Sequence, residues 1–233
     1  MLKIWDASSF RRTLGGLCLI VGPLTVLAAD FASSYGQTDN SAAATVASAA
    51  QHRDKMLVAD YAFIVGYILF MVGVFALLQV VRGRGVVLAH IAGMICVVGL
   101  SLQLVFMGVL LTITEMGLPG VDRPAMVVFI QKAFADPAAT PIALHIYVEG
   151  IGLFLFGIAV WRSGFGYRWA GALMSVAVVI NFFPLNDIVS FVGQMLFVIA
   201  LAAIGYRILT SGDAWESSPR SLAASAPATA VVQ

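Results

Sequence analysis

The chain has 233 residues, of which 61% are hydrophobic and only 11% charged, with a formal net charge of +1. An average soluble domain is about 25% charged, so this composition excludes a water-soluble enzyme, a disordered chain and a disulfide-stapled secreted domain. The balanced charge also removes any electrostatic case for a nucleic-acid partner.

What remains is an all-α polytopic membrane bundle with the lipid bilayer as its main partner. A spanning helix needs about 20 mostly apolar residues, because it rises about 1.5 Å per residue across about 30 Å of hydrocarbon. The sequence predicts six such helices. The first runs from about Thr13 to Ala29. Arg11 and Arg12 followed by an apolar run to Val26-Leu27-Ala28 can also be read as a secretory signal, which would leave five spans. In the loop 30–56, Ser41 to Ala50 reads as a short outer helix, with Asp39 and Asn40 as candidate caps. The second span runs from Leu57 to Val81 and the third from Val86 to Ile113. In the loop 114–140, Pro124 suits a first helical position, and Met126, Ile130 and Phe134 follow on one face. This predicts a helix on the outer membrane surface, either a cover for the bundle or a plain connector. The fourth span runs from Pro141 to Trp161, the fifth from Trp169 to Phe183 with Pro184 ending it, and the sixth from Ile188 to Leu209. Residues 1–209 thus form one transmembrane domain, and the Ala-, Ser- and Pro-rich residues 210–233 are expected to be a disordered tail. Gly66 to Gly73 and Gly150 to Gly157 match weakly, as a duplicated hairpin or chance resemblance would.

Orientation follows from the basic residues. With the N-terminus inside, the inner segments carry Lys3, Arg11, Arg12, Arg82, Arg84, Arg162, Arg168, Arg207 and Arg220, and the outer ones only Arg53, Lys55, Arg123 and Lys132. Both termini are then cytoplasmic.

Ionisable groups inside a span cost several kcal/mol (about 2.5 or more) unless they face a partner or a wet cavity. Glu149 lies eight residues into the fourth span, about 12 Å below its outer end, with His145 one turn above on the same face. Asp60, Gln103, Asn181, Asp187 and Gln194 fall at similar depths, whereas the inner half offers mainly Gln79 and His90. The expectation is one polar ligand site opening outward, lined by Glu149, His145, Asp60, Gln103, Asn181, Asp187 and Gln194. Each also has a structural reading. Asp60 and Asp187 can sit among headgroups, Gln103 and Gln194 can bond neighbouring helices, and Glu149 can pair with His145.

Three functions compete. The site binds or moves a small amphiphilic or cationic ligand, with Glu149 as counter-charge or proton carrier. Alternatively, Glu149, His145, Asp60 and Asp187 perform acid-base chemistry on an isoprenoid or lipid substrate. Alternatively, the chain is an accessory subunit whose polar residues pair only with each other. Six helices make a small transporter, which would be completed by a homo-oligomer. No cofactor is expected. His145 and Glu149 have a spacing able to share a metal but lack a third strong ligand, and His90 and His145 lie too far apart in depth for a haem. Cys18 and Cys96 both fall inside spans, so no disulfide is indicated.

Three stretches carry a resemblance: Arg12-Thr-Leu-Gly-Gly, Ala49-Ala-Gln-His-Arg-Asp-Lys and Leu78-Gln-Val-Val-Arg-Gly-Arg-Gly. Over about the first half of the chain, the layout resembles the uncharacterised six-helix integral membrane proteins of high-GC bacteria classed as a domain of unknown function. That resemblance implies a bacterial cytoplasmic membrane and brings no functional residues with it.

Overall fold

The computed structural model describes residues 7–33, 41–165, 167–182 and 187–210, with Ser8, Ala138, Pro141, Phe182 and Asp187 described in backbone only. Asp39, Asn40, Pro184 and the expected tail 210–233, apart from Thr210 itself, lie outside these residues. Among the described residues there is no strand. The α-helices are α1 (Ala7–Ser33), α2 (Ala42–Val80), α3 (Val86–Glu115), α4 (Arg123–Ala135), α5 (Thr140–Ala143), α6 (His145–Ser163), α7 (Arg168–Phe182) and α8 (Asp187–Thr210).

Two helices run longer than expected for identifiable reasons. α1 continues past Ala29 to Ser33, so Asp30 is helical rather than part of a loop. α2 absorbs the stretch expected to be a separate outer helix. Ser41 Oγ accepts from the Ala44 amide at 3.2 Å and caps an alanine-rich run of high helix propensity. At 39 residues, α2 is about 58 Å long, far more than a bilayer core requires. The excess bends at His52, whose backbone is non-helical (φ −127°, ψ 25°). Arg53 then bonds Glu115 at the end of α3 at 2.7 Å, which fixes where the bent segment leaves the bundle. α4 forms as expected, with Pro124 in its first turn and Asp122 Oδ1 accepting from the Ala125 amide. Its Ile130 packs with Val46 and Ile113, but Phe134 on the same stripe is exposed.

The six long helices close a ring in the order α1, α2, α3, α6, α7, α8 and back to α1, each packing on two neighbours. All neighbours are antiparallel. Gly22 meets Gly66 and Phe70, Gly99 meets Glu149, Gly157 meets Gly171, Gly193 meets Asn181, and Gly205 meets Gly16. Small residues at these crossings let backbones approach where lipid supplies no hydrophobic drive for association. Gly66 and Gly73 both face the preceding helix, whereas Gly157 faces the following one, so the weakly matching segments are used differently.

Two tight turns close one end of the ring. Gly83 (φ 69°) joins α2 to α3, and Gly164 (φ 67°) terminates α6 in the left-handed region that a side chain disfavours. Arg11, Arg12, Arg82, Arg84, Arg162, Arg168 and Arg207 gather at this arginine end. Toward it the ring interior is solid. Leu19, Leu77, Leu100, Phe156, Met174 and Leu201, one from each helix, are all essentially inaccessible.

The outside of the ring is apolar as well: Leu17, Ile68, Met94, Ile151, Val176 and Ile199 are all exposed. Helices apolar on both faces suit lipid. Five helices are long and apolar enough to cross a membrane: α1, α2, α3, α6 and α8. The sixth ring member, α7, has 15 residues and is about 22 Å long.

Candidate functional site

The half of the ring away from the arginines is hollow. A cavity of about 560 Å³ is lined by residues from all six ring helices. The lining follows helical periodicity on each wall: Pro23, Val26, Leu27 and Asp30 on α1; Phe63, Tyr67 and Phe70 on α2; Ser190, Gln194, Phe197 and Val198 on α8. Gln103 and Phe106 come from α3, Glu149 and Leu153 from α6, and Val178 and Asn181 from α7. A smaller cavity of about 270 Å³ adjoins it and shares Asp30, Phe63, Tyr67, Gln103 and Phe106 as walls.

Of the residues singled out from the sequence, Glu149, His145, Gln103, Asn181 and Gln194 line the main cavity together. Asp60 lines the adjoining cavity instead. It is only 4% exposed and accepts a 2.7 Å hydrogen bond from Thr114 Oγ1, so it sits inside the protein rather than among headgroups. Asp187 begins α8, but its side chain is outside the described atoms. Of the four groups named for an enzymatic reading, Glu149 and His145 thus line the main cavity and Asp60 the adjoining one.

The depth of Glu149 needs correction. The expected fourth helix does not run unbroken from Pro141. A separate turn, α5, ends at Ala143, and α6 starts at His145. Glu149 is thus about 6 Å from the start of its own helix, not about 12 Å. Its level is set by α3. Gly99, against which the Glu149 backbone packs, lies about 20 Å from the start of α3 and about 24 Å from its end. Glu149 is near the middle of that long helix.

The expected pairing of Glu149 with His145 is not formed. His145, 6% exposed, donates its Nδ1–H to the Ile142 carbonyl and stacks its ring on Phe106, with centroids 4.7 Å apart. Glu149 has no hydrogen bond or ion pair with any described residue, although it is within coulombic reach of the Tyr67 hydroxyl and the Cys96 thiol. Gln103 is 5% exposed and also has no hydrogen-bond partner among the described residues. The Asn181 Oδ1 is buried without a partner against Gly193. By contrast, Gln194 Nε2 donates to Asp30 Oδ2 at 3.1 Å, across the α1–α8 interface. Buried polar groups normally find partners, and each missing one costs about 1–3 kcal/mol. Glu149 and Gln103 line the hollow without a hydrogen-bond partner among the described residues, whereas the Asn181 Oδ1 is closed off in the α7–α8 contact.

Sequence reasoning missed Asp30, Tyr67 and Phe106. Asp30 was legible as the fourth member of the stripe that starts at Pro23. Tyr67 and Phe106 carried no signal, since an aromatic residue in an apolar run looks like core packing. Among the described residues no three His, Cys, Asp or Glu side chains come together as a metal-binding group.

In comparisons with known proteins, no family model, curated protein or solved structure matches the chain. The site must be read from its own geometry.

Proposed function

We propose that this chain is a multi-pass protein of the bacterial cytoplasmic membrane that binds or moves a small amphiphilic ligand inside its helix ring. The ring crosses the membrane six times with both termini in the cytoplasm. The arginine-rich end supports that orientation, since short inner loops collect Arg and Lys. Inclusion of α7 as a span is supported by its place between α6 and α8. Tyr167 and Trp169 at its start stack 5.9 Å apart, both exposed, as interfacial aromatics do.

The observation that carries the ligand reading is the unpaired pair Glu149 and Gln103 on a cavity walled by all six ring helices. An accessory subunit with no small-molecule site would pair these groups with each other, as it would Asp60 with Thr114. The test is native mass spectrometry of the protein purified from membranes, beside a Ser190→Trp variant whose indole obstructs the cavity. A bound small molecule is expected in the first and not in the second. A protein that carries no such molecule in either form contradicts the reading. Membrane-impermeant thiol labelling in a background without Cys18 and Cys96 tests the topology. Lys55→Cys should label from outside, and Arg84→Cys only after the membrane is opened.

A further inference from the structure

We infer that the ligand of this cavity is a hydrophobic organic cation, a monovalent ion with its charge set among apolar groups. The inference rests on the ligand reading above and narrows it to one chemical class.

Charge is the first argument. The walls of the two joined cavities include the carboxylates of Asp30, Asp60 and Glu149 and no Lys or Arg. Asp30 and Asp60 are held by Gln194 and Thr114, which leaves Glu149 without any donor. A carboxyl group at mid-helix depth is neutralised either by a proton or by a cation that enters the cavity, and an entering cation can displace the proton. An anionic ligand would meet three acids and no Lys or Arg, and the one histidine on the walls, His145, is engaged with the Ile142 carbonyl and the Phe106 ring.

The second argument is independent of the acids. Gln103 is 5% exposed, lines both cavities and is unpartnered, so its amide, an oxygen acceptor beside two N–H donors, offers a bond to a polar ligand: it marks the place of the ligand, while the acids set its charge.

Third, the remaining walls are wrong for an inorganic ion and right for an organic one. A hard cation wants six or more oxygen ligands. Here Phe63 stacks on Tyr67 with near-parallel rings (14°), Phe70 meets Phe197 edge to face at 5.9 Å, and Phe106 covers His145. Aromatic faces attract organic cations through their quadrupoles and pack against their apolar bodies. Leu153, Val178 and Val198 complete an apolar floor beneath the acids. A lodged ion would place its charge between Glu149 and Tyr67 and its hydrophobic body toward that floor.

The test uses tetraphenylphosphonium and tetraphenylborate, ions of nearly the same size and shape and opposite charge. Equilibrium binding is measured on the purified full chain in neutral-lipid nanodiscs, counting only the binding that Ser190→Trp removes. The expected result is saturable phosphonium binding at least tenfold tighter than borate binding. Glu149→Gln is expected to weaken the phosphonium at least tenfold while the borate is unaffected or strengthened. The wild-type comparison of the two ions decides the question even if the Gln variant fails to fold. Equal binding of both ions, preference for the borate, or binding of neither overturns the inference. If a small molecule still copurifies in that case, the cation class alone has failed; if none does, the ligand reading has failed with it.

Discussion

The two ends of the ring are built from the same six helices and solve opposite problems. At the arginine end, Leu19, Phe156 and Ile204 are fully buried in one apolar cluster. At the other end, the same helices carry Asp30, Gln103, Glu149 and Gln194 on their inward stripes and enclose a cavity. A cavity with buried polar walls lacking partners is costly, so the hollow end is not what packing alone would select. The filled end holds the ring together so that the hollow end need not.

This contrast predicts that stability and binding separate by position. The largest stability loss should come from Phe156→Ala, which opens a void in the filled end and should cost about 3–5 kcal/mol. Thermal or denaturant unfolding in detergent would show it as a large drop in midpoint, whereas a drop under about 1 kcal/mol would mean that this end is not the structural anchor. Next comes Gly99→Leu. Its side chain would collide with the Glu149 backbone across the α3–α6 seam, so a loss of about 1–3 kcal/mol is expected, together with loss of ligand binding. Thr114→Val should cost a similar or smaller amount, about 1–3 kcal/mol, because it strips Asp60 of its 2.7 Å hydrogen bond. It should leave binding in the main cavity largely intact, and that difference separates the two cavities. Smallest is Arg53→Ala. The Arg53–Glu115 pair is partly exposed, and such pairs contribute about 0–1 kcal/mol. Hydrogen exchange should show faster opening of residues 42–51 in that variant without a change in global midpoint.

The sequence conveyed the ring helices well and their ends poorly. Long apolar runs around Phe70, Val98 and Ile199 have no alternative to a buried or lipid-facing helix, so the helices they belong to were legible. The break at Leu144 was not, because no Gly or Pro lies between Ile142 and Val148, and this is why Glu149 seemed deeper in its own helix than it is. The alanine-rich run after Ser41 was legible as helix. Its fusion with α2 was not, since only the bend at His52 and the Arg53–Glu115 bond define it. At the site, Glu149 stood out because a carboxylate in an apolar run has few harmless explanations. Asp60 invited a headgroup reading, and its partner Thr114, 54 positions away, is visible only in three dimensions. Tyr67 and Phe106 could not be distinguished from core aromatics by spacing.

The central claim is that the hollow half of the ring exists to hold a guest. An experimental structure of the protein purified from its native membrane tests this most directly. The account predicts non-protein density inside the ring, within hydrogen-bonding or ion-pairing distance of the Glu149 carboxylate and the Gln103 amide. A collapsed ring, with Phe106 packed on Phe197 and both polar side chains bonded to other residues of the chain, would contradict it.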